Sequence, residues 1–182
     1  MRLKEFERFA LAYAPGKAMI DSNGATIKNL SKAAEGPAAA FDRFFIVLKP
    51  LASEAQLWQA ADQTVNAFLE KANFVNQPGL EFLLRVSGRK QLPQALDLLE
   101  VREGLNDCLL VACAETPARA RNAFLQASKL VSFLEEPGLL ARSAKKNKAF
   151  LMKTYGLPPE ALKVCPLEEL VLETIAMVAL ES

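Results

Sequence analysis

The sequence predicts an α/β fold of the α+β kind, in which helices flank a central mixed β-sheet of about four to five strands. Two apolar runs of strand length, Phe44–Leu48 and Cys108–Cys113, contain no polar alternation, which is typical of buried strands. Between them, the stretch 53–72 repeats apolar residues with the period of an amphipathic helix. A length of 182 residues with 51% hydrophobic and 24% charged residues suits one domain over 1–182.

Composition narrows the classes of function. The net charge is +1, so an attraction for nucleic acid has to come from a local basic site. The chain has no histidine, which removes the commonest general base and metal ligand. Its three cysteines form no metal-binding spacing, and Cys108 and Cys113 are expected to be small buried hydrophobes. The odd cysteine number, the missing signal sequence and the lack of a membrane-length apolar run predict a cytoplasmic protein.

The N-terminal third reads as strand, turn, weak helix and strand. Residues 6–13 alternate as an edge strand would, and Pro15-Gly16 is expected to turn the chain. A turn or helix start at 21–24 precedes a weak apolar stripe over 27–34. After the strand at 44–48, Ser53 and Gln56 form a predicted capping box for the long helix. Trp58 beside that helix's apolar stripe fits core packing, or else an anchor for a partner.

The stretch from Leu80 to Cys113 predicts strand, basic turn, helix and strand. In residues 80–86, apolar side chains recur at every second position, as on one face of a strand. The turn that follows is Ser87-Gly88-Arg89-Lys90-Gln91. A helix is expected over 92–99, with Pro93 in its first turn. If the strands at 80–86 and 108–113 share a sheet, a helical crossover makes them parallel neighbours.

The C-terminal third is predicted to be mostly helical. Thr116-Pro117 starts one helix, which runs to about Ala127, and the state of 130–134 is left open. The basic run 142–148 leads into a helix that Gly156 closes. Pro166 opens the last helix, and residues 177–180 could leave it as a final strand.

Two cations stand where helix electrostatics disfavours them. The start of a helix carries about half a positive charge from its backbone dipole, so Arg89 and Lys90 before the helix 92–99 fit a bound anion or a solvated turn. For an anion site, Ser87 offers a hydroxyl, Gly88 permits close backbone approach, and Arg85 adds a charge. The run 142–148 is either a solvated face or a phosphate contact, and the acidic residues 168–181 are either a solvated face or a contact for a basic partner.

The same stretch resembles a known family. The run Leu80-Glu-Phe-Leu-Leu-Arg-Val-Ser-Gly-Arg-Lys-Gln-Leu-Pro-Gln-Ala-Leu, with Arg102-Glu-Gly104 after it, is similar to the small kinase-binding subunit of the KEOPS complex, called PRPK-binding protein in animals. Residues 169–180 look like that family's closing segment. The resemblance extends from residue 44 to the C-terminus, is loose over 116–137, and covers the first 43 residues only in outline. Pro93 departs from the family pattern.

The resemblance implies a non-catalytic protein without a cofactor. Its implied direct partner is the small atypical kinase, an ATPase subunit that itself docks on the threonylcarbamoyl-transferase subunit. Archaeal members of the family also bind the single-stranded 3′ CCA end of tRNA. Carried over residue by residue, the implied tRNA-binding positions are Arg85, Ser87, Gly88, Arg89, Lys90 and Gln91.

Two other classes of function stay open from the residues. One is a small enzyme that holds an acyl-CoA or nucleotide phosphate at the helix start, with Glu81 or Glu103 as its base. The other is a module that binds only protein.

Overall fold

The structure, a computed structural model, describes residues 1–20, 43–49, 51–99 and 101–180. In chain order its elements are β1 (Arg2–Glu5), β2 (Ala10–Ile20), β3 (Arg43–Leu48), α1 (Glu54–Glu70), α2 (Pro78–Ser87), α3 (Leu92–Leu99), β4 (Gly104–Ala114), α4 (Pro117–Leu130), β5 (Leu134–Glu135), α5 (Leu139–Lys146), α6 (Lys148–Tyr155), a 3₁₀ helix (Pro159–Lys163) and α7 (Leu167–Leu180). The predicted α+β class is therefore confirmed. The turn or helix start at 21–24 and the stripe over 27–34 lie outside the described residues.

The chain groups into two compact units, Met1–Lys49 with Glu100–Leu139, and Pro50–Leu99 with Leu140–Ser182. The first unit contains the sheet and α4. The second unit is helical in its described residues. The assignment of 1–182 to one domain stays a prediction.

The sheet of the first unit is antiparallel at every described pairing, so the expectation of a mixed sheet was wrong. Its strand order is β1-β2-β4-β3, and β5 also pairs with β2. The β2–β4 ladder is the longest, from Ala10 opposite Ala114 to Ile20 opposite Gly104. The other edge of β2 is shared, first by β1 along Ala10–Tyr13 and then by β5 at Gly16 and Lys17.

The predicted turn at Pro15-Gly16 was wrong, because both residues lie inside β2. The Pro15 carbonyl accepts a hydrogen bond from the Glu136 N–H, 2.9 Å away, on the β5 side. A residue's N and C=O point to the same neighbour in an antiparallel strand. The missing N–H of Pro15 therefore faces the gap between β1 and β5, and no hydrogen bond to β4 is lost. The expected edge strand at 6–13 was also wrong in its bounds. Residues 6–9 connect β1 to β2, and Ala10–Tyr13 begin β2, which pairs with both β1 and β4.

The alanine content of β2 explains why its full length was not predicted from the sequence. The face of the sheet against α4 is built from small residues, with Ala12 opposite Ala112 and Ala14 opposite Leu110. These residues form one core with Ala123, Phe124 and other side chains of α4. Alanine has little strand propensity and gives a weak hydrophobic alternation, so the run lacks the usual pattern of a strand.

The second unit contains the main error of the sequence prediction. Residues 78–87 form the helix α2, not a strand, so the predicted parallel pairing with 108–113 does not exist. Every residue from Glu81 to Ser87 is buried, and the polar Glu81, Arg85 and Ser87 alternate with apolar residues, which is also the period-two pattern of a strand. The helix signals were Pro78 at its start and a Glu81–Arg85 pair spaced i,i+4.

Several other predictions are confirmed. Ser53 Oγ accepts from the Gln56 N–H at 3.2 Å, and Gln56 Oε1 accepts from the Ala52 N–H at 3.0 Å, so α1 begins in a reciprocal cap. Thr116 caps α4, and Gly156 closes α6 with φ +66°. Of the open segment 130–134, Leu130 ends α4 and Leu134 begins β5. The strand expected at 177–180 is wrong, since α7 continues to Leu180.

Candidate functional site

The predicted anion site lies where α2 ends and α3 begins, within the second unit. Gly88 has φ +65°, which favours glycine, and its N–H donates to the Arg85 carbonyl at 3.1 Å. The Arg89 N–H donates to the Leu84 carbonyl at 3.2 Å. These two bonds form a Schellman motif, which explains the Ser-Gly-Arg order as a helix terminus.

Arg85 does not face the turn. Its side chain is only 2% exposed, and its Nε lies 2.8 Å from Oε1 of the fully buried Glu81. An Nη2 hydrogen bond to the Ala72 carbonyl, at 3.2 Å, and a guanidinium stacked 4.5 Å from the Phe74 ring centre complete its surroundings. Glu81 Oε2 accepts from the N–H groups of Phe74 and Val75 at 2.8 and 3.1 Å.

This buried network joins α2 to the loop that precedes it. Every charge in it meets an opposite charge or a hydrogen-bond partner, as burial of an ion pair requires. Arg85 is therefore held as a structural residue, and its guanidinium is not accessible for a phosphate. Glu81 is occupied in the same way, which leaves it poorly placed as a general base.

Ser87 and Arg89 also have internal partners. Ser87 is 1% exposed and donates its hydroxyl to the Leu84 carbonyl at 2.9 Å. Arg89, partly exposed, donates from Nη2 to the Thr154 carbonyl in the last turn of α6. A cation at the C-terminal end of a helix is favoured by the helix dipole. Arg89 therefore stabilises the contact between the ends of α2 and α6.

A polar junction lies directly beside this contact. Gln56 Nε2 donates to the Val86 carbonyl at 2.8 Å and lies 2.6 Å from the Tyr155 hydroxyl, which is 3.2 Å from the same carbonyl. Burial raises the pKa of Tyr155 to about 12, against the lowering effects of Gln56 and Arg89. The Val86 carbonyl has no partner within the end of α2, so Gln56 and Tyr155 supply its hydrogen bonds.

Lys90 and Gln91 are the exposed members of the predicted site. The Gln91 carbonyl accepts the Ala95 N–H at 3.2 Å, and its Oε1 accepts from Gln94 Nε2 at 3.2 Å. The first turn of α3 contains no acidic residue, and Pro93 and Gln94 in it are exposed. The positive end of α3 is thus open, with Lys90 directly before it.

The structure therefore divides the six predicted positions. Arg85 and Ser87 are buried parts of the framework, while Gly88 and Arg89 build the turn. Lys90 and Gln91 are the two exposed positions of the six. Sequence reasoning did not place Tyr155 and Thr154 at this site. It gave Gln56 only a capping role and Glu81 only the role of a possible base. For their parts in this site, only Glu81 had a local signal, its i,i+4 spacing from Arg85.

The cysteines and the acidic residues near the C-terminus lie in environments that structural roles explain. Cys108 and Cys113 are fully buried, as predicted, and burial raises the pKa of each thiol, that of Cys108 to about 12. Glu168 and Glu169 lie in the first turn of α7, where the helix dipole favours acidic residues. Within the described ranges, no three His, Cys, Asp or Glu side chains gather as metal ligands would. None of the helices described is both long and apolar enough to span a membrane.

Two comparisons with known proteins were informative only by finding no match. No protein-family model fits the chain, and no curated protein is similar to it. The likeness to the KEOPS kinase-binding subunit therefore rests on the residues quoted above, above all 81–104 and 169–180.

Proposed function

We propose that this chain is the non-catalytic, kinase-binding subunit of a KEOPS-type tRNA-modification complex. In this role it binds the small atypical kinase, an ATPase subunit, and through it acts with the threonylcarbamoyl-transferase subunit. It also binds the 3′ CCA end of tRNA, in support of threonylcarbamoyladenosine formation in the cytoplasm. It does so without a cofactor of its own.

One observation carries the RNA-binding part of this proposal. The turn that resembles the family motif presents Lys90 and Gln91 at the open, positive start of α3, with no carboxylate in the first turn. A terminal phosphodiester can accept hydrogen bonds from the free N–H groups there and pair with the ammonium of Lys90. The buried members of the motif fix the shape of the turn and do not contact RNA.

For the kinase-binding part of the proposal, the candidate contact residues are exposed apolar side chains on α1 and α7. Leu69 near the end of α1 is 42% exposed, and Met177 in α7 is 50% exposed. Exposed apolar side chains on packed helices are typical contacts for a partner protein. Trp58 is only partly exposed, so it is not the first candidate for an anchor.

The most direct test is a pull-down of the purified cognate kinase by the full chain, with and without tRNA. We expect capture in both conditions, and a reduced yield when Leu69 and Met177 are changed to Asp. If purified kinase at micromolar concentration is not retained by the wild-type chain, the kinase-binding role is contradicted.

The RNA-binding part is tested by Lys90→Glu, with Lys163→Glu as a matched control. Lys163 is exposed in the same unit and outside the motif, and its substitution makes the same change in charge. We expect Lys90→Glu to weaken tRNA binding several-fold and to lower the salt slope of log K by about one, while the control changes neither. Equal effects of the two variants would contradict the site.

A further inference from the structure

A second basic surface lies on the helices α5 and α6. Its members are Arg142, Lys145, Lys146, Lys148, Phe150 and Lys153, here called the basic face; all six are exposed. No Asp or Glu occurs between Glu136 and Glu160, although the whole chain has a net charge of only +1. The cations of this segment are therefore not balanced by any carboxylate within it.

These residues lie on two successive helices. The Asn147 N–H donates to the Ser143 carbonyl, and the Leu151 N–H donates to the Asn147 carbonyl, each at 2.8 Å. These two hydrogen bonds meet at Asn147, whose φ of −100° and ψ of 14° are not helical, so α5 ends and α6 begins there. Arg142 and Lys146 are spaced i,i+4 on one face of α5, and Phe150 and Lys153 are spaced i,i+3 on one face of α6.

The opposite side of the same helices is buried. Leu140, Leu151, Thr154 and Tyr155 are at most 9% exposed. Leu151 and Tyr155 pack in a core with Val171 and Ile175 of α7. The apolar side of α5 and α6 is consequently not available to enter a lipid bilayer, as a helix lying in a membrane interface would need.

An aromatic side chain lies among these cations. Phe150 is 49% exposed and stands three residues before Lys153 in α6, so the two side chains are neighbours on the helix surface. About half of the surface of Phe150 is therefore open to solvent beside a cation. Alternating cations and an exposed aromatic ring suit single-stranded nucleic acid, in which phosphates meet the cations and a base stacks on the ring.

We propose that the basic face binds single-stranded RNA or DNA independently of base sequence, with Arg142, Lys146 and Lys153 on phosphates and Phe150 under a base. This surface is separate from the turn at Lys90 and does not depend on the KEOPS assignment. Lys145 in α5 and Lys148 in α6 add to the local potential.

The test uses the full chain and a fluorescent oligouridylate of about 12 nucleotides, a length within known site sizes. Anisotropy is measured between about 50 and 200 mM salt. We expect the triple variant Arg142→Gln, Lys146→Gln, Lys153→Gln to lose at least about tenfold in affinity. Its salt slope of log K should fall by about 2, or 0.7 for each phosphate contact removed.

Two controls separate a site from general charge. Arg121→Gln, Lys129→Gln, Lys163→Gln removes the same charge from exposed positions elsewhere, and we expect it to leave the affinity and slope nearly unchanged. Phe150→Ala should weaken binding about tenfold with an unchanged slope, and Phe150→Trp should restore it, because stacking does not involve counterions.

The results that overturn the inference are equally definite. The inference fails if the wild-type chain does not bind the oligonucleotide, or if the two triple variants lose affinity equally. It also fails if Phe150→Ala has no effect and polyglutamate displaces the labelled oligonucleotide as well as unlabelled oligonucleotide does, because the surface would then suit an acidic protein. If the triple variant loses the oligonucleotide while Lys90→Glu has no effect on tRNA, the basic face stands and the proposed turn falls. The reverse pattern removes the basic face alone.

Discussion

Arg85 Nε lies 2.8 Å from Glu81 Oε1, and both side chains are almost completely buried, at 2% and 0% exposure. The sequence suggested that Arg85 was one of a group of cations that meet an anion. Instead, its charge is matched inside the protein, one turn back along the same helix. The exposed part of the turn after α2 is therefore supported by a buried ion pair whose charges neutralise each other.

The first prediction concerns this pair. Arg85→Ala should lower the free energy of unfolding by about 3–5 kcal/mol, because it leaves the Glu81 carboxylate buried without its counter-charge. Lys90→Ala, on the exposed side of the turn, should change it by less than about 0.5 kcal/mol. Urea denaturation measures both values, and a similar small effect for the two variants would contradict the buried pair.

A second prediction concerns Gly16 inside β2. A Cβ at this position would lie 2.2 Å from the Leu134 carbonyl oxygen and 2.5 Å from the Phe133 ring. Gly16→Ala should therefore separate β5 from β2 and cost at least about 2 kcal/mol of unfolding free energy. Hydrogen exchange gives the local result, since the Glu136 N–H, which donates to the Pro15 carbonyl, should lose its protection. Unchanged protection in a folded variant would refute this account of the strand.

Tyr155 gives a prediction about pH. Its pKa is raised in the folded state from 10.0 to about 12, so the folded state holds the phenol proton more tightly than the unfolded chain does. The stability from the neutral phenol is complete below pH 10 and is lost as the pH rises towards 12, by about 2–3 kcal/mol. Because lysines titrate in the same pH range, the quantity to measure is the difference in unfolding free energy between wild type and Tyr155→Phe. That difference should fall across this range, and parallel curves would show that the hydroxyl is not buried.

The cysteines provide a chemical prediction. In the folded protein a maleimide should label Cys165 and spare Cys108 and Cys113, which are buried. Cys165 itself should react slowly at neutral pH, since its thiol donates to Glu169 Oε2 at 3.1 Å and this carboxylate raises the thiol pKa. Glu169→Gln should increase the labelling rate. Mass spectrometry counts the modified sites, and rapid labelling of a second thiol without denaturant would contradict the packing of β4.

The errors of sequence reasoning have physical causes. The helix α3, the strand β4 and the caps of α1 and α4 follow from local periods and local hydrogen bonds, and all were predicted. Residues 80–86 fit both a strand and a helix, because Glu81 and Arg85 are spaced i,i+4 on one helix face and also fall on the same face of a period-two strand. Likewise, the alanines of β2 give only a weak alternation of apolar and polar residues, so they do not indicate a strand.

The candidate site was predictable only in part, for a related reason. The exposed Lys90 and Gln91 follow from their place before a helix. The partners of Arg89 and Tyr155 are 65 and 69 residues away in the chain, so no local spacing could indicate them. Whether a cation before a helix meets solvent or an internal carbonyl is decided by such long-range packing.

The central claim is that the open start of α3 receives the 3′ end of tRNA. Its most direct test is the affinity of the full chain for intact tRNA compared with the same tRNA lacking its terminal CCA, for wild type and for Lys90→Glu. We expect trimming to weaken wild-type binding about tenfold or more and to have little further effect on Lys90→Glu, because both changes remove the same contact. Equal affinity of the wild-type chain for the intact and trimmed tRNA would contradict the claim.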